Sequence, residues 1–194
     1  MPAGAIHMCV TKVVLNKLKI DISINHYLGS IAPDSWRNSS STKAGTHFIE
    51  DKDSLNYDYE YFYKKYRNDL DNEFVLGYLI HLITDRYWHT NNFITTVISS
   101  DEYTELNKAC SNLINKYDIQ RLFLPDNINN KVEELDISGL IKTIDYLNSV
   151  NYLEDKDSTF DIDELQICIN KTADFVISEL NRLYGLEYTN YHKR

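Results

Sequence analysis

A chain of 194 residues, 43% hydrophobic and 25% charged, is long enough to bury a sizeable core and too apolar to be disordered. Its formal net charge of −9 repels phosphate backbones and so predicts no nucleic-acid partner. The acidity sits beyond residue 90, where 18 Asp/Glu accompany 10 Lys/Arg, against 11 and 10 before it.

The first residues, MPAGAIHMCVTKVVLNKLKI, lack a basic segment followed by a continuous apolar run, so no signal peptide is expected. No run of about 18 apolar residues occurs, which predicts no integral membrane segment. Cys9, Cys110 and Cys168 are far apart and make no C-x-x-C pair, so neither a disulfide framework nor a thiolate zinc site is implied. The chain reads as cytoplasmic with reduced thiols.

In chain order, apolar spacing predicts a first helix over about 5–18, with Val10, Val13, Val14 and Leu18 on one side. Residues 26–48 collect Gly29, Pro33, a serine run and Gly45, and are expected to form a long loop with one short helical turn. A tyrosine-rich amphipathic segment, YEYFYKKYRNDL at 59–70, leads to a central helix over about 72–99. Three further helices are expected at about 101–117, 133–150 and 161–184. The last places Ile162, Leu165, Ile169, Ala173, Val176, Leu180 and Leu183 on one face and ends at Gly185. The expectation is all-α: one domain over 1–194, with a multi-helix bundle around a buried central helix. Its motifs lie within about 1–95, its C-terminal helices within about 100–185 and a short tail at 186–194.

The central segment GYLIHLITDRYWHT, 77–90, spaces His81, Asp85 and His89 four residues apart. Steps of four residues drift only about 40° around a helix, so all three share a face. Phe74, Val75, Leu76, Leu79, Ile80, Leu82, Ile83, Tyr87 and Trp88 cover most of the circumference, and a helix apolar nearly all round belongs in a core. A buried carboxylate there costs several kcal/mol or more unless it is paired. A divalent cation, an arginine, a cluster of N–H donors or a hydrogen bond from His81 could each supply the partner. Five of the six histidines lie within the first 89 residues. Asp34 and His47, in the punctuated segment, complete with His81 and Asp85 a four-ligand N/O set of the kind zinc, manganese or iron accepts.

Taken together, M-P-A-G-A-I-H, L-G-S-I-A-P-D-S, T-H-F and G-Y-L-I-H-L-I-T-D, in that order over about 1–95, resemble the bacterial zinc-dependent phospholipase C family. The resemblance implies a helical bundle in which Asp34, His47, His81 and Asp85 hold one metal. It further implies that His7 holds a second, with Asp85 bridging. His89 would stand for the family histidine that follows the helical Asp on a third ion. The family's later His-x-x-x-Glu has no counterpart here, because no histidine lies between His89 and His192. One or two zinc ions are therefore expected, with manganese or iron as alternatives.

The activity so implied is metal-dependent phosphoester hydrolysis. A metal-activated water would be the nucleophile, Asp34 ligand or general base, and a small-molecule or lipid-derived phosphoester the substrate. Arg37, beside Trp36, and Arg86 are candidate phosphate contacts. The tyrosines at 57, 59, 61, 63 and 66 are candidate pocket residues or packing, and His26 is a partly exposed histidine near the site. The competing readings are a non-catalytic helical binding module with a partial metal site and a phosphohydrolase of the HD superfamily. The second needs an adjacent His-Asp pair, which this sequence lacks.

Overall fold

Apolar residues recurring every three to four positions, with few glycines and prolines, leave helix as the way to pair backbone groups inside a core. The computed structural model describes residues 3–49, 58–91, 100–126, 128, 131–150, 152 and 157–185. They form α1 (Gly4–Leu18), α2 (Ile24–Ile31), α3 (Lys43–Thr46), α4 (Tyr59–Tyr66), α5 (Glu73–Asn91), α6 (Ser100–Lys116), α7 (Ile137–Val150) and α8 (Ile162–Tyr184). Turns of 3-10 helix follow α2 at Ala32–Asn38 and α4 at Arg67–Asp69. No β-strand occurs among the described residues, and the fold is all-α.

Helix ends are closed by the expected chemistry. Asn72 Oδ1 accepts from the amides of Phe74 and Val75 at 2.9 and 3.3 Å, capping α5 at its N-terminus. Asp161 Oδ1 does the same for Asp163 and Glu164 at the start of α8. Gly185 ends α8 in the left-handed region at φ 64°, where a side chain would be strained.

The central helix is enclosed. Every residue of α5 from Phe74 to Asp85 is buried, with α2, α8 and α1 packed around it. Each of those neighbours contributes an apolar face: Leu28 and Ile31 from α2, Val10 and Val14 from α1, Ile169, Ala173, Val176 and Leu180 from α8.

The segment expected as a loop is mostly helical. Residues 24–38 form α2 and the 3-10 turn that continues it. Gly29 lies inside α2, against the α5 backbone, and Pro33 sits at the first turn of the 3-10 helix, where its missing N–H does no harm. Residues that punctuate a sequence here serve close packing and helix initiation. The seventh helix begins at Ile137 rather than near 133, after a turn closed by Leu135 N–H donating to the Val132 carbonyl. Residues 92–99, expected as the end of the central helix, and the tail from 186 lie outside the described residues. No helix among the described residues is long and apolar enough to cross a membrane.

Candidate metal centre

Four pieces of chain converge beside α5. Helix α5 supplies His81 and Asp85, one turn apart on the same face. Helix α1 supplies His7, the 3-10 turn after α2 supplies Asp34, and the C-cap of α3 supplies His47. His7, His47, His81 and Asp85 are at most 1% exposed. The Asp34 side chain, at 15%, is the more open member.

Asp85 sits in the middle. Its Oδ1 lies 3.3 Å from His7 Nε2, while its Oδ2 lies 3.4 Å from His47 Nε2 and 3.5 Å from His81 Nε2. Asp34 Oδ1 lies 3.7 Å from His47 Nε2. These separations exceed the roughly 2.9–3.0 Å of an N–H···O hydrogen bond. The three around Asp85 are close to the edge of a coordination polyhedron, since four ligands at about 2.0–2.1 Å in a tetrahedron stand about 3.3–3.4 Å apart; the Asp34 separation is longer. Consistently, both oxygens of Asp85, Asp34 Oδ1, His81 Nε2 and both ring nitrogens of His7 are buried without a hydrogen-bond partner. Each such atom costs about 1–3 kcal/mol if nothing satisfies it.

Two groups of three donors each have all ligand atoms within 4.8 Å of one another: His7, Asp34 and His81, and His47, His81 and Asp85. Three neutral imidazoles and two carboxylates sum to a formal −2, which one divalent cation neutralises. A second cation would bring an excess positive charge that an anionic ligand must offset. The donor set is therefore chemically suited to a divalent ion on the N/O side of the scale.

The rings are oriented from behind. His81 Nδ1 lies 2.7 Å from the Ser30 carbonyl oxygen, and His47 Nδ1 lies 3.2 Å from the Lys43 carbonyl oxygen and 3.0 Å from Thr46 Oγ1. A carbonyl only accepts, so the proton is assigned to Nδ1 and Nε2 is left bare toward Asp85. His7 stacks flat on His81, with ring centroids 3.7 Å apart and planes 12° apart. Two stacked imidazoles cannot both be charged. Burial and the adjacent His81 pull His7 down to about 4. Burial lowers His81 as well, but the Asp85 charge and contact, with Asp34 and the Ser30 carbonyl, raise it on balance. Burial opposes ionisation of Asp85, and the three surrounding histidines overcome it, holding the carboxyl well below its ordinary range.

An aromatic cluster, which the sequence reading did not connect to the site, holds the His47 turn. Phe48, the next residue, has φ 54°, a left-handed conformation unusual for a bulky residue. Packing sustains it: Phe48 meets Phe62 edge-on at 5.2 Å, and Phe62 stacks on Tyr78 at 4.9 Å. Tyr78 in turn donates its O–H to the Thr46 carbonyl at 2.5 Å. The tyrosine spacing of 59–66 was the available signal.

The other expected residues are outside the two donor groups. His89 is half-buried on the last turn of α5 and belongs to neither donor group. His26 is buried, not partly exposed, and its Nδ1 accepts from the Ser23 amide at the start of α2. Arg37 is exposed, with its guanidinium 5.4 Å from the Trp36 ring, and Arg86 is half-buried. Tyr59 and Tyr66 donate to Glu179 and Glu134, so both act in packing between segments. Tyr57 lies outside the described residues.

No protein-family model, curated protein or solved structure matches this chain.

Proposed function

We propose that this protein is a divalent-metal enzyme, a phospholipase C-like hydrolase of phosphoesters, with zinc as the first candidate ion. The observation that carries the reading is the buried cluster of His7, Asp34, His47, His81 and Asp85, in which the three histidine nitrogens stand 3.3–3.5 Å from Asp85, closer to a coordination edge than to a hydrogen bond. Nitrogen and carboxylate donors without a thiol favour a reactive site over a closed structural one. A divalent ion held there would supply Lewis acidity, able to activate water near neutral pH and to counter charge on a phosphoryl oxygen.

The chain's own residues divide the remaining work. His47 and His81 offer Nε2 because their Nδ1 protons face carbonyls. Asp85 presents Oδ1 to His7 and Oδ2 to His47 and His81, and it would be a ligand to an ion held among them. Asp34 has the greatest access to solvent among the five. That access supports reading Asp34 as the group that would take a proton from an incoming water and pass it outward.

One observation favours a second reading. Four of the five donors are almost fully buried, as in a site that holds a metal for stability and binds a partner elsewhere. Elemental analysis of protein purified without chelator or histidine tag tests the shared premise. One or two equivalents of zinc, manganese or iron, lost in His81→Ala, support a metal centre; none, even after dialysis against zinc, sinks it. Hydrolysis of bis(p-nitrophenyl) phosphate by the loaded protein, abolished in Asp34→Asn, separates enzyme from structural site.

A further inference from the structure

Two glycines set where His81 points. Helices α2 and α5 meet backbone to backbone at Gly29 and Gly77. A Cβ on Gly29 would lie 2.1 Å from the Phe74 carbonyl oxygen and 2.9 Å from the Tyr78 amide nitrogen. A Cβ on Gly77 would lie 2.1 Å from the His26 carbonyl oxygen and 3.1 Å from the Ser30 amide nitrogen. The contact is reciprocal, and each obstacle is backbone that cannot swing aside. Either side chain would force the helices apart.

That approach delivers the Ser30 carbonyl, one residue beyond Gly29, to His81, one turn beyond Gly77. The oxygen lies 2.7 Å from Nδ1. A carbonyl at the end of a helix is normally claimed by an amide three or four residues on. Three residues beyond Ser30 is Pro33, at the first turn of the 3-10 segment, and it has no N–H to offer. The 3-10 turn therefore makes no claim on this oxygen from that position, and His81 meets it.

We propose that Gly29, Gly77 and Pro33 are positioning residues of the metal centre. By holding the Ser30 carbonyl against His81 Nδ1, they fix the imidazole proton on that nitrogen and turn Nε2 toward Asp85. The geometry stands alone; its consequence for metal affinity rests on the metal-binding reading above. None of the three touches the ion. A partner that orients a ligand from behind typically changes metal affinity by about 10–100-fold.

The test compares Gly77→Ala and Pro33→Ala with Leu113→Ala, a truncation of a fully buried residue on α6 that lowers stability away from the α2–α5 contact. Long-range ¹H–¹⁵N correlations on metal-free protein at alkaline pH, assigned against His81→Ala, read the His81 tautomer. Competition with a chromogenic chelator reads zinc affinity. The expected result is an Nδ1–H tautomer in the parent chain, weakened in Gly77→Ala. Zinc binding should fall by about 10–100-fold in that variant and stay unchanged in Leu113→Ala.

Pro33→Ala, which returns an N–H to compete for the carbonyl, should move both readouts the same way by a smaller factor, and it carries the test if Gly77→Ala does not fold. Parental tautomer and affinity in the folded glycine and proline variants would overturn the proposal. So would an equal loss of zinc in Leu113→Ala. A parent chain that binds no zinc would overturn the metal reading alone, because the tautomer still decides this one.

Discussion

Helices α5 and α8 lie against each other, yet they treat polar residues in opposite ways. Over its 23 residues α8 buries Leu165, Ile169, Thr172, Ala173, Val176 and Leu180 along one stripe and turns Asp163, Lys171 and Asp174 to water. Helix α5 has no solvent face between Phe74 and Asp85, so its polar residues must find partners inside. Where the two touch, the contact is ordinary: Trp88 Nε1–H donates to Thr172 Oγ1 at 2.8 Å and Tyr87 stacks on Phe175 at 4.6 Å. A charge on α8 is therefore close to free of consequence, whereas a charge on α5 is either a severe defect or a site. Its surroundings of three histidines and a second carboxylate make it a candidate site.

The comparison breaks most sharply at Asp85. Asp85→Asn should abolish metal binding and cost about 3–5 kcal/mol, since the histidines lose the charge they were arranged around. Metal analysis and thermal unfolding of the loaded protein check both. A variant with full metal content and an unchanged Tm would show that Asp85 is not a ligand. On the other helix, Leu180→Ala should cost about 2–5 kcal/mol through its cavity and leave metal stoichiometry intact. Loss of metal there would mean that the two helices are not separable in function.

Acid sharpens the contrast through His7. Its folded value of about 4 lies below the ordinary 6.5 of the unfolded chain, so between those limits the unfolded state binds more protons and stability rises with pH. Metal-free protein should accordingly lose on the order of 3 kcal/mol from His7 as pH falls from about 6.5 to 4. His81, raised when folded, contributes with the opposite sign: its share is present below the unfolded value and is lost as pH climbs through the folded one. Denaturant unfolding of the parent and His7→Leu at pH 7 and 4.5 isolates the first effect, and the variant should flatten the acid slope. The smallest change belongs to α8. Lys17 and Asp174 pair at 2.6 Å with side chains 39% and 68% exposed, and Asp174→Asn should shift stability by less than about 1 kcal/mol.

Much of the fold was legible because helices announce themselves through local periodicity. The first helix, the central helix as far as Asn91 and the long C-terminal helix with its Gly185 cap lie where apolar spacing predicts them. The segment 26–48 departs from its expected loop because Gly29 and Pro33, breakers by sequence pattern, sit inside a helix and at the start of a 3-10 turn. Helix propensity penalises Gly29 in isolation, yet the α2–α5 contact requires it. Within the site, His81 and Asp85 were legible as a pair because four residues make one turn. His89 shares that spacing from Asp85 but sits on the last, half-buried turn, where α5 leaves the enclosure that gathers the other donors. His26 was legible as a histidine near the site but not as the buried partner of the Ser23 amide.

By itself, then, the sequence determined the helical class, the apolar wrap of the central helix and the shared face of His81 and Asp85, all consequences of spacing within one turn or two. Only the tertiary structure decided that His7 stacks on His81 and that Asp34 and His47 reach the same carboxylate. It also decided that a pair of glycines brings the Ser30 carbonyl into register with an imidazole. Those relations join residues dozens of positions apart, and they exist only once helix packing has removed water from between them.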